Sequence, residues 1–92
     1  MTSLAQFTGS RPKSIQRGTI SMTSGGSTSG TATITSVDTT KTELRFLGSS
    51  NDFVGDTTQI SRVVLTNATT VTASRSGTNG TTVVSWELTE FY

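Results

Sequence analysis

The sequence predicts an all-β domain: an antiparallel β-sandwich or small β-barrel of about six strands, preceded by an extended N-terminal arm. Three observations lead there. Threonine occurs 21 times and serine 14 times in 92 residues. The threonines alternate with Val, Ile and Leu in short runs, the period of a half-wet pleated strand and not of a disordered stalk. Proline occurs once, at Pro12, no segment has a helical period, and polar turn clusters recur at roughly regular spacing.

Residues 1–13 show no clean period and end in Arg-Pro-Lys, so they read as the arm, tethered by Leu4 and Phe7. Residues 14–92 read as a single β domain. Ile15–Met22 is the first strand, with Gln16, Gly18, Ile20 and Met22 on one face and Ile15, Arg17, Thr19 and Ser21 on the other. The Gly- and Ser-rich run 23–30 is a loop. Thr31–Val37 is the second strand, with Ala32 and Ile34 inward and Thr31, Thr33 and Thr35 outward. Asp38–Lys41 is a turn, because Asp readily bonds its own downstream backbone.

Thr42–Gly48 is the third strand, with Leu44 and Phe46 inward and Glu43, Arg45 and Leu47 outward. Residues 49–58 form a longer loop. Gln59–Thr66 is a fourth strand with both faces partly apolar, and Asn67-Ala68 turns the chain into the fifth, Thr69–Arg75, with Val71 and Ala73 inward. Ser76–Gly80 reads as a glycine-bearing hairpin loop. Thr81–Phe91 is the last strand, with Val84, Trp86 and Leu88 on one face and Trp86 as core anchor. Strands joined in this way imply an antiparallel meander.

The apolar complement is small: Ile, Leu, Val, Phe, Trp and Tyr, with Met22, come to 23 residues. A chain of this length buries only about two-thirds of its unfolded surface. With no cysteine and no histidine, it has no disulfide and lacks the commonest metal ligand and general base. Small unstapled scaffolds often gain stability by associating, so the composition points to a component that packs against copies of itself or other proteins. No apolar run approaches the length of a membrane span and no signal-type segment stands at the N-terminus, so neither membrane nor Sec export is expected.

Catalysis is not expected either. Ser-His-Asp and Cys-His arrangements are excluded by composition, and Lys13 and Lys41 sit in an arm and a turn, poor places to desolvate a nucleophilic amine. Asp52, Asp56, Glu87 and Glu90 read as loop and edge charges. Residues 51–56, Asn-Asp-Phe-Val-Gly-Asp, offer oxygen ligands but lack the alternating spacing and closing Glu of a calcium loop. No metal and no cofactor is expected. Asn67-Ala-Thr69 and Asn79-Gly-Thr81 are chance matches to a glycosylation acceptor in a threonine-rich chain.

Charge is unevenly placed. Residues 1–37 carry Arg11, Lys13 and Arg17 and no acid, whereas residues 38–92 carry six acids against Lys41, Arg45, Arg62 and Arg75. The polarity suits orienting one protein on another. Nucleic acid would want a denser basic face with interleaved aromatics. The candidate partner-binding residues are therefore Arg11, Lys13 and Arg17, as a docking arm for an acidic surface, and the terminal aromatics Phe91 and Tyr92.

Lys13-Ser-Ile-Gln-Arg-Gly-Thr-Ile20, Thr31-Ala-Thr-Ile34 leading into Val37-Asp-Thr-Thr-Lys41, the run Arg62–Ala73 and the closing Val83-Val-Ser-Trp-Glu-Leu-Thr-Glu-Phe91 together resemble the small structural proteins of tailed bacteriophages. The likeness is one of strand texture and covers roughly residues 13–91. It implies a virion component assembled in the host cytoplasm, without enzymatic activity or cofactor. The foremost expectation is a capsid decoration (cement) protein that binds the major capsid protein and stabilises the head; a tail, baseplate or fibre component is the alternative. The resemblance favours a homotrimer, with strand edges or the Phe91–Tyr92 end touching sister subunits. A different class, a host-surface-binding module presenting loops 23–30 and 49–58 with Phe53, Asp52 and Asp56, also remains open.

Overall fold

The computed structural model describes residues 11–52 and 60–92, and these form two three-stranded antiparallel sheets facing each other as an open sandwich. The strands are β1 (Pro12–Met22), β2 (Ser29–Thr33), β3 (Thr42–Asn51), β4 (Ser61–Asn67), β5 (Thr70–Arg75) and β6 (Thr82–Phe91), with one 3-10 turn at Thr39–Lys41 before β3. Sheet A runs β1-β6-β3 and sheet B runs β2-β5-β4. Among the described residues the sheets do not close into a barrel.

Alternation along the strands builds the core. Sheet A contributes Ile20 and Met22 from β1 and Val84, Trp86 and Leu88 from β6, and sheet B contributes Val71 and Ala73 from β5. Ala32, Leu44, Val63 and Leu65 pack against this cluster. The inward and outward faces expected of β1, β2 and β6 are those observed. Phe46 departs from expectation. Its register opposite Trp86 sets it on the inner side, yet it is 46% exposed, because β3 is the outer strand of its sheet.

The connectivity is not a meander. Among the described residues, only β4 and β5 form a hairpin between consecutive strands. Residues 76–81 do not close a hairpin, because β5 is already paired on both edges, by β2 and β4. The chain instead crosses to sheet A, where β6 enters between β1 and β3.

Strand ends also move, each for a local reason. β2 stops at Thr33 and not at Val37. Ile34 and Val37 are both buried, and three residues apart they cannot face the same side of a regular strand. The chain therefore bends there, held by Ile34 N–H to Thr69 O at 2.9 Å and Val37 N–H to Ala68 O at 3.0 Å. β3 continues past Gly48 to Asn51 through a bulge, where Phe46 faces Trp86, Gly48 faces Ser85 and Leu47 is the extra residue. Gly48 has φ +124°, which only glycine adopts readily. Leu47, as expected, lies outward and exposed. Pro12 pairs with Phe91, so Pro12 and Lys13 belong to β1 and not to the arm. Of the expected loop 49–58, residues 49–51 are strand, and Phe53 and Asp56 lie outside the described residues, as do Leu4 and Phe7 of the arm.

Side chains close the seams between sheets. The Gln16 amide donates to Thr35 O at 3.0 Å and accepts from Thr35 N–H at 2.9 Å, standing in for a strand neighbour. Asp38 caps the 3-10 turn, its Oδ1 accepting the Thr40 N–H and hydroxyl at 3.0 and 2.7 Å. Those two bonds hold its carboxyl below the usual 3.8, with a smaller pull from Lys41 and Lys13. Gly18 lies opposite Trp86 in the ladder, and a Cβ there would sit 2.9 Å from Trp86 Cζ2. The indole thus rests over the one residue of β1 without a side chain. Gly18→Ala is expected to cost about 1–3 kcal/mol through overpacking, read as a lower urea midpoint at unchanged m-value.

Candidate functional site

The β1–β6 ladder brings the two ends of the chain together. The carbonyl of Arg11 accepts the Tyr92 N–H at 3.1 Å, and Pro12 is aligned with Phe91. The Arg11 guanidinium carbon stands 5.1 Å from the centre of the Tyr92 ring, a cation–π contact that is favourable at the surface. The basic segment and the aromatic terminus, separate features in the sequence, are thus brought together at one end of sheet A.

Outward alternation places Ile15 and Arg17 of β1 beside Thr89 and Glu87 of β6. Ile15 is 47% and Tyr92 58% exposed, and Phe91 is half-buried. Ile15 was not among the sequence candidates. Its place on the outer face was legible from alternation, but its alignment with Thr89, two residues before Phe91, depends on the register. Lys13 falls at the register shift between Pro12 and Ser14, is exposed, and makes no ion pair among the described residues.

Arg17 has a second commitment. Its Nε donates to Glu87 Oε2 at 2.7 Å, with the arginine side chain 65% and the glutamate 16% exposed. An exposed pair of this kind contributes under about 1 kcal/mol, yet it ties down part of the guanidinium that a docking arm would present. The two acids near the terminus play different parts. Glu87 faces outward, whereas Glu90 is buried and turned inward, accepting the Asp38 N–H at 2.8 Å and the Ser14 hydroxyl at 3.4 Å. Glu90 therefore organises the turn before β3 and is not a surface charge.

The arrangement stacks Arg11 on Tyr92 at the chain ends, while alternation sets half-buried Phe91 on the outer face with Ile15 and Arg17, and Lys13 is exposed at the register shift between Pro12 and Ser14. Such a combination suits an acidic protein surface carrying its own apolar contact. Elsewhere, a shallow open depression of about 460 Å³ is lined by Ile60, Ser61, Arg62, Ser74, Arg75 and Ser76, with Arg62 Nε donating to Ser74 Oγ at 3.3 Å. In the stretch read against a calcium loop, Asp52 Oδ1 accepts the Thr81 N–H at 2.8 Å, and residues 53–56 lie outside the described residues. Among the described residues, no three Asp or Glu side chains gather as a metal site. No protein-family model, curated protein or solved structure matches the chain.

Proposed function

We propose that this protein is a non-enzymatic structural component of a tailed-phage particle, a capsid decoration protein that docks the chain-end surface of sheet A on the major capsid protein. The observation behind this reading is the pairing of the two chain ends, Pro12 with Phe91 and Arg11 stacked on Tyr92, which sets the basic segment beside the aromatic terminus. The texture of β1 and β6, which resembles such proteins, supports it from the sequence side. Docking stabilises the shell by mass action: a copy that binds the assembled lattice and not free capsid protein shifts the equilibrium toward the assembled state.

The experiment is the copy number of this chain in purified particles relative to the major capsid protein. A near-integer ratio, with hundreds of copies, is expected. A handful of copies would move the protein to tail, baseplate or fibre, and none would leave the host-surface-binding module as the better reading. Attachment should also weaken as salt is raised, since exposed charges are screened beyond about 8–10 Å at physiological ionic strength. The double variant Arg11→Glu/Lys13→Glu should lower occupancy more than Arg17→Ala, because Arg17 is partly engaged by Glu87. Equal loss from both would refute that ordering.

A further inference from the structure

Among the described residues β3 pairs only with β6, so its other edge presents backbone N–H and C=O groups to which a further strand can add. The other edges are blunted. β1 opens with Pro12 and a register shift and has Gln16 engaged with Thr35, β2 is only five residues long, and β4 breaks register at Thr66. β3 contains neither Pro nor Lys, the residues that most often guard an edge.

Two features bound the part of β3 able to pair. The 3-10 turn Thr39–Lys41 ends immediately before Thr42, and the bulge at Leu47 interrupts the ladder after Phe46. The regular stretch between them is Thr42–Phe46, and its midpoint is Leu44. We propose that a second copy of this chain adds to this stretch, antiparallel and about a two-fold axis at Leu44, joining two copies of sheet A into one continuous sheet.

Charge selects that register. Glu43 and Arg45 are exposed and lie on the outer face, aligned with Thr89 and Glu87. With the axis at Leu44, Glu43 of each copy lies opposite Arg45 of the other. An outer row then reads Arg17, Glu87, Arg45, Glu43 of the second copy, alternating in sign throughout. Moving the axis to Glu43 sets glutamate against glutamate, and moving it to Arg45 sets arginine against arginine, both unfavourable for directly opposed residues. A slip of pairing by one residue would place these charges opposite inward-facing positions. On the inner side the favoured register joins Leu44 to Leu44 and lays Phe46, now 46% exposed, over Thr42 of the second copy. The ladder is short, so the contact is weak, as interfaces at the low end of the size range are. The inference does not rest on the capsid reading and is tested without particles.

The test is sedimentation equilibrium with native mass spectrometry on the full chain, over a concentration series into the high micromolar range. Wild type should form a dimer. Arg45→Glu, which sets a second glutamate against Glu43 at both symmetry-related crossings, should weaken it about tenfold or more. The charge-swapped Glu43→Arg/Arg45→Glu should restore it, and a mixture of the Glu43→Arg and Arg45→Glu single variants should form heterodimers. Arg45 also lies 3.8 Å from Glu43 of its own copy, so the contact between copies is isolated by the mixture, in which each copy keeps its like-charged internal pair and opposite charges meet only across the interface. Circular dichroism verifies that each variant is folded. A wild-type mass of one or three copies throughout, a dimer indifferent to Arg45→Glu, or a swap that fails to rescue would each overturn the proposal.

Discussion

Arg75→Ala is expected to lower the unfolding free energy by about 3 kcal/mol, the cost of leaving several buried acceptors without their donor. For a domain of this size that corresponds to a fall in Tm of about 12–24 °C. Arg75 ends β5 and is 5% exposed. Its Nη1 donates to Thr82 Oγ1 at 2.7 Å, Gly80 O at 2.8 Å and Asn79 O at 3.3 Å. Its Nε reaches Ser27 O at 2.9 Å and its Nη2 reaches Thr23 O at 3.2 Å, while its N–H donates to Thr28 O at 2.8 Å. One guanidinium therefore holds the 23–28 loop to the crossing from sheet B to sheet A. The planar fork matters as much as the charge, since a lysine ammonium cannot span acceptors on both sides. Arg75→Lys should recover no more than about half of the loss. Urea unfolding followed by Trp86 fluorescence measures both, and a loss below about 1 kcal/mol for Arg75→Ala would refute the clamp.

Trp86→Ala should cost about 3–5 kcal/mol, most or all of the stability of a small domain near the low end of the usual range. The indole is 4% exposed at the centre of β6, between Gly18 of β1 and Phe46 of β3. Its Nε1–H is buried and has no hydrogen-bond partner among the described residues. Trp86→Phe removes that unsatisfied donor along with some contacts, two effects of opposite sign, and should cost less than about 1.5 kcal/mol. The Gly18→Ala penalty should also shrink in the Trp86→Phe background, because the Cζ2 atom 2.9 Å from the new methyl is gone. Far-UV circular dichroism, which needs no tryptophan, follows all four members of this cycle. An unchanged Gly18→Ala penalty would place the strain elsewhere.

Much of the fold was written locally. Alternation of Val84, Trp86 and Leu88 marked the face of β6 that is buried, and Gln16, Gly18, Ile20 and Met22 did the same for β1. Asp38 announced its turn by chemistry that acts over two residues. Where two signals competed locally, alternation misled: Ile34 and Val37 looked like strand, but burying both required the chain to leave strand geometry. Gly48 looked like a strand end and proved to be the pivot of a bulge.

The candidate surface was legible only as parts. Arg11 and Lys13 were visible as a basic segment and Phe91 and Tyr92 as an exposed aromatic end, but nothing in either segment specifies the other. Local pattern was enough to tell which side of each strand is apolar, where most turns lie and which residues are too polar to bury. Strand neighbours came from the folded arrangement alone, and with them the meeting of the chain ends, the pairing of Arg17 with Glu87 and, among the described residues, the open edge of β3 at Thr42–Phe46. The physical reason is that side-chain period is a property of a single strand, whereas pairing depends on which edges remain open once the others are filled. β5 filled both of its edges with β2 and β4, and β6 was left to close sheet A.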